Sequence, residues 1–177
     1  LCMSVPIVHL VPLLTDKGFT NESASSVLMV LMFSGIFGRI LGGKLGDMYG
    51  ALPGYMMMSF GQTISVFWFP FLDSILALYA LAIFFGFTYS GVMSAILVCA
   101  RTMVPPSYAA RMMSITALFG WGGMGRGGFV GGYLFDVQGN YFWSFYFATM
   151  VGITNLGILG LLALRIRQAR VREEVFS

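Results

Sequence analysis

Hydrophobic and polar positions alternate along this chain in long blocks rather than in short periods. Six apolar segments stand out, at about 1–14, 24–46, 53–72, 74–100, 110–134 and 141–164. Polar or turn-forming residues part them: 15–23, then Asp47 to Pro53, Asp73 with Ser74, 101–109 with Pro105-Pro106, and 135–140. Ser23 and its polar neighbours suit the cap of the second segment, and Pro53 suits the first turn of the third. Most runs approach the roughly 20 residues that span a bilayer, and they lack the polar–apolar alternation of barrel strands of about 10 residues. The pattern predicts an all-α integral membrane protein with a bundle of six transmembrane helices and a basic tail at 165–177.

Composition agrees. The 177 residues are 58% hydrophobic and only 10% charged, against about 25% charged in a soluble domain. A water-soluble surface could not be covered with so few charges, and nothing points to nucleic acid. The first segment is short for a span, which leads to the expectation that the natural chain extends upstream. Cys2 and Cys99 lie far apart in apolar stretches and read as packing residues.

The distribution of charge sets an expected orientation. Alternate loops carry Lys44, Arg101, Arg111 and the tail arginines Arg165, Arg167, Arg170 and Arg172. The opposite loops carry Asp16, Glu22, Asp73 and Asp136, with Lys17 as their base. The bias of basic residues toward the cytoplasm places the tail inside the cell, in a multi-pass protein of a plasma or inner membrane.

Arg39 is the sharpest chemical signal. It interrupts the run from Val27 to Gly43, which holds no other charge. A guanidinium stays protonated, and placing one near the bilayer centre costs roughly 2.5–3.5 kcal/mol on insertion scales. It therefore needs a wet cavity and an anion, or a packing partner in a neighbouring helix. Arg126 is a second deep arginine, a candidate for an outer vestibule. His9 lies between Pro6 and Pro12, and as the single histidine could bind substrate or carry a proton. Glycines repeat every fourth residue at Gly38, Gly42 and Gly46 and at Gly123, Gly127 and Gly131. Such spacing lets helix backbones approach closely, for static packing or for sliding.

The turn Gly43-Lys-Leu-Gly-Asp47-Met-Tyr-Gly50-Ala51 resembles the loop signature of the major facilitator superfamily, G-x-x-x-D-R/K-x-G-R/K. Gly43, Asp47 and Gly50 match, while Met48 and Ala51 stand where bases are usual. The stretch from Val8 to Phe19 resembles the seventh helix and following loop of the monocarboxylate-porter-like branch. The stretch from Gly125 to Asp136, followed by Gly139-Asn-Tyr141, resembles its eleventh helix and exit loop. The resemblance covers essentially the whole chain, 1–177, as the C-terminal six-helix half of a twelve-helix fold, with the N-terminal half absent from this sequence.

The resemblance implies a secondary transporter for a small organic anion, with a monocarboxylate as the expected substrate, a proton as candidate co-substrate and the lipid bilayer as surroundings. It implies that Arg39 binds the substrate carboxylate and that Tyr89, in the matching tenth-helix stretch, donates to it. Phe33 would cover the apolar part of the substrate. Asp47 would act as a gate element with the basic residues Arg101 and Arg111. Some members carry an aspartate one turn before the arginine, implicated in proton coupling, and that position here is Gly35. No cofactor and no metal is expected, and with no Gly-x-Ser-x-Gly element or metal-ligand cluster the chain does not read as an enzyme. A non-transporting membrane scaffold or assembly subunit is the competing reading. A wet cavity reaching Arg39 distinguishes the two.

Overall fold

The computed structural model of the chain describes residues 2–176, with side chains described through residue 169. Six α-helices follow one another: α1 (Ser4–Asp16), α2 (Asn21–Tyr49), α3 (Ala51–Trp68), α4 (Ile75–Thr102), α5 (Pro106–Gln138) and α6 (Phe142–Phe176). A 3-10 turn, Phe69–Phe71, closes α3. The described residues contain no strand.

Several helix ends differ from the hydropathy blocks, for local reasons. The cap of α2 is Thr20 rather than Ser23: the Thr20 hydroxyl accepts from the Ser23 amide at 3.2 Å, so the helix takes in the polar residues before Ala24. Gly50 alone separates α2 from α3, at φ +94°, a value that L side chains rarely adopt. Pro106 opens α5, where a missing amide proton costs nothing, and Gly139 ends it in the left-handed conformation. The expected loop at 101–109 is thereby reduced to a few residues. α6 runs on as helix through the basic stretch expected as a tail; the side chains of Arg170 and Arg172 lie outside the described residues.

The expected count of six spans is not matched by helix length and composition. Three helices are long and apolar enough to cross a membrane among the described residues: Asn21–Tyr49, Ile75–Thr102 and Phe142–Ala169. α1 has 13 residues, about 20 Å at 1.5 Å per residue, short of a hydrocarbon core. α3 is diluted by Ser59, Gln62, Thr63 and Ser65, and α5 by Arg111, Arg126 and many glycines.

The bundle is organised around α4. Gly35, Gly38 and Gly42 of α2 face Gly86, Phe87, Ser90 and Gly91 of α4. A Cβ on Gly38 would collide with the Phe87 carbonyl, and one on Gly86 with the Leu31 carbonyl. In lipid, where apolar side chains gain nothing by leaving solvent, such close van der Waals contact is what holds helices together. One apolar cluster joins α1, α2 and α4 to Phe69 and Phe145, with Leu10, Leu14, Leu31 and Phe85 fully buried. A second joins Leu52, Tyr55 and Met58 of α3 to Val92 and Ala95 of α4 and Leu159 of α6. Many large apolar side chains stay outside, among them Met29, Ile40, Leu76, Phe119 and Phe129. A bilayer solvates such a surface, and water would not.

At one end of the bundle Lys17 ties two turns together. Its Nζ donates to the Leu72 carbonyl and pairs with Asp73, both at 2.8 Å. This contact explains the single base among the otherwise acidic loops.

Candidate functional site

α2 has two unlike faces, and Arg39 belongs to the open one. The glycine face is locked onto α4. The other carries Met32, Phe33, Ile36, Phe37 and Ile40, all exposed, and Arg39 is exposed among them. Helical periodicity makes this unavoidable: a stripe of glycines at spacings of three and four leaves the intervening positions on the outside. Arg39 has no ion-pair partner among the described residues. Tyr89 is half-buried on α4, its ring stacked on Phe85 at 5.9 Å. Gly38, next to Arg39 in sequence, meets Phe87, two residues before Tyr89, so the α2–α4 seam carries one cation and one phenol at the same level. Phe33 lies on the same bare flank, 64% exposed, edge-on to Phe37 at 5.9 Å.

The remaining residues singled out in the sequence lie elsewhere. His9 is 8% exposed, between α1 and α5. Its Nε2 lies 3.0 Å from the Gly128 carbonyl oxygen. A carbonyl only accepts, so Nε2 carries the proton and donates. The ring also faces Tyr141 at 5.4 Å and fills the space left by Gly131. Tyr141 stacks on Phe135 at 4.2 Å. Burial, with the nearby charges of Asp16 and Asp136, pushes its hydroxyl above the ordinary tyrosine range and keeps it neutral. Asp47, Arg101 and Arg111 are exposed at the ends of α2 and α4 and the start of α5, and no ion pair joins them among the described residues. Arg126 is exposed on α5, apart from Arg39 in the helix order. No cluster of three or more metal-ligating side chains occurs among the described residues.

One polar constellation escaped the sequence reading. Tyr55, Ser59, Gln62 and Thr63 of α3 meet Asn155 of α6 inside the bundle. Asn155 Nδ2 donates to Ser59 Oγ at 2.9 Å, and Tyr55 reaches Asn155 Oδ1 at 3.5 Å. Two amide side chains set in apolar segments were the available signal, since a buried amide must find partners.

Residues 2–176 match the family model of the Major Facilitator Superfamily. The chain belongs to that superfamily. Its members are transporters rather than enzymes, and the chain is an integral membrane protein. It is 31% identical over 165 residues to monocarboxylate transporter 13 of Rattus norvegicus. It is 31% identical over 169 residues to monocarboxylate transporter 13 of Bos taurus. Each match takes in 88% of this chain and 37% of the relative, so the chain spans little more than a third of the length of the proteins it resembles. No solved structure matches it significantly.

Proposed function

We propose that the chain is the C-terminal six-helix half of a secondary transporter that moves a small organic anion, a monocarboxylate, by alternating access. One observation carries the reading: Arg39 stands on the bare face of a spanning helix, at the level of Tyr89 on α4, with no acidic partner among the described residues. A charge kept in hydrocarbon at a cost of a few kcal/mol needs an anion from elsewhere. The names of the relatives supply a carboxylate as the natural candidate. A guanidinium grips a carboxylate through two parallel hydrogen bonds, and the Tyr89 hydroxyl adds a third donor. Phe33 and the apolar flank of α2 would take the hydrocarbon part of the substrate. The N-terminal half would close the cavity from the opposite side.

In this reading Asp47, Arg101 and Arg111 gate the inner side, Arg126 lines an outer vestibule, and the basic end of α6 faces the cytoplasm of a cell whose plasma membrane holds the protein. A proton would travel with the anion or through His9, since Gly35 offers no carboxylate beside Arg39.

The test is uptake of a panel of small carboxylates by cells expressing the complete protein. Arg39→Ala, inserted at wild-type levels, is expected to lose at least about thirtyfold in uptake, the loss of one partner of a desolvated charge pair. Arg39→Lys keeps the charge without the fork and is expected to fall between the two. Wild-type uptake by Arg39→Ala ends the assignment.

A further inference from the structure

A cavity of about 250 Å3 opens inside the bundle, between the start of the chain, α3, α5 and α6. Ser59, Gln62, Thr63, Tyr55, Asn155 and Cys2 supply its polar lining. It shares Met3, Phe119, Gly123 and Asn155 with a larger, mainly apolar cavity of about 450 Å3 between α4 and α5, which gives it a way out. Neither cavity is lined by Arg39 or Tyr89.

Gln62 points to an occupant. The residue is 3% exposed and its side chain meets the Cys2 thiol, yet its Oε1 is buried without a hydrogen-bond partner among the described residues. A buried carbonyl left unpaired is costly, so native proteins almost always satisfy it. The rest of the lining defines what fits. No carboxylate, lysine or arginine among the described residues lines the space, so a charged guest would find no counter-charge there. The Thr63 hydroxyl has committed its proton to the Ser59 carbonyl and offers its lone pairs. The Ser59 hydroxyl accepts from Asn155 and keeps its own proton. The Tyr55 proton is held only by a contact at the outer limit for a hydrogen bond. Acceptors and donors therefore both line one small volume, and Phe119 and Val151 add apolar wall. Water's share of liquid volume is about 30 Å3, so the space exceeds what one or two waters fill.

We propose that this cavity is a binding site for a small neutral polyol, whose hydroxyls donate to Gln62 Oε1 and accept from Tyr55 or Ser59. It is separate from the Arg39 face and takes a guest without charge.

Cys2 lines the cavity and reports on it, while Cys99 does not line it and serves as internal reference. The complete protein in lipid nanodiscs is alkylated with iodoacetamide, and the rate at each cysteine is read by peptide-resolved mass spectrometry with and without glycerol. Glycerol is expected to slow labelling of Cys2 several-fold relative to Cys99. Gln62→Leu removes one acceptor, and the glycerol concentration giving half-protection is expected to rise about tenfold. Thr63→Val, which keeps the side-chain shape, is expected to shift it in the same direction and secures the result if Gln62→Leu folds poorly. No relative protection of Cys2, or equal protection in wild type and both variants, means that the cavity holds water alone and overturns the proposal.

Discussion

α2 and α5 carry the same kind of glycine repeat and use it in opposite ways. On α2, Gly35, Gly38 and Gly42 are buried, and an added methyl at any of them would strike α4. On α5 only Gly127 and Gly131 are buried, while Gly120, Gly122 and Gly125 have nothing within 4 Å of where a Cβ would stand. Backbone-to-backbone approach is thus realised on α2, while α5 uses Gly131 to seat the His9 ring and leaves Gly120, Gly122 and Gly125 open. Glycine spacing shows where two backbones can meet, but the partner decides whether they do. The α2–α4 seam has its partner within the chain. Beyond the bare stretch, α5 is pinned by hydrogen bonds: His9 takes the Gly128 carbonyl and Ser144 donates to the Gly131 carbonyl at 2.7 Å.

The largest effect is expected from breaking the seam. Gly86→Ala places a methyl against the Leu31 carbonyl and the Ser34 hydroxyl, and neither the carbonyl nor its helix can retreat without parting α2 from α4. Overpacking of this kind costs about 1–3 kcal/mol and more where backbone must move. A loss of about 3 kcal/mol is expected, read as a fall in thermal stability of the purified protein and in its surface expression. A Gly86→Ala protein as stable as wild type would mean that the seam is not what holds the bundle.

The next effect is at the pinned end of α5. His9→Leu keeps the bulk of the side chain but removes the donor to the Gly128 carbonyl, at an expected cost of about 1–2 kcal/mol. The same variant separates a structural from a transport role. If His9 only pins α5, hydrogen exchange should rise around Gly128 while the dependence of uptake on pH stays as in wild type. A changed pH profile with unchanged exchange would instead assign His9 to proton movement.

Much of this was legible before any coordinates. Helical class, the membrane setting and the family followed from block hydropathy and from the turn around Asp47, because solvation by lipid is written into every position of a span. Arg39 stood out for the same reason: a charge inside an apolar run calls for an anion or a packing partner. The contents of the interior were not. Gln62 and Asn155 are ordinary amides in sequence, 93 positions apart by their numbers, and only the packing of α3 on α6 brings them to one cavity. His9 was visible as a lone histidine, but its partner is a backbone carbonyl, and no side-chain pattern reports a carbonyl. Helix length and composition by themselves mark three of the six helices as spans, since polar residues enter α3 and α5 and block reading averages over them. A helix that faces other helices can afford polar groups that a lipid-facing one cannot.

The smallest effect has the opposite sign and is the sharpest test of the contrast between the two helices. Gly125→Ala adds a methyl to α5 where nothing lies within 4 Å. Alanine restrains the unfolded chain and favours helix, so the variant is expected to stabilise this chain by about 0.5–1 kcal/mol. The equivalent change at Gly38, against the Phe87 carbonyl, is expected to destabilise it. In the complete protein, stability and transport can part company. If the bare stretch of α5 meets another helix during the cycle, Gly125→Ala will keep its gain in thermal stability and lose uptake. If that stretch faces only lipid, uptake will be unchanged and the gain will remain. Loss of stability in the isolated chain would show that α5 already has a close neighbour at Gly125, and the distinction between a locked and an open glycine helix would fail.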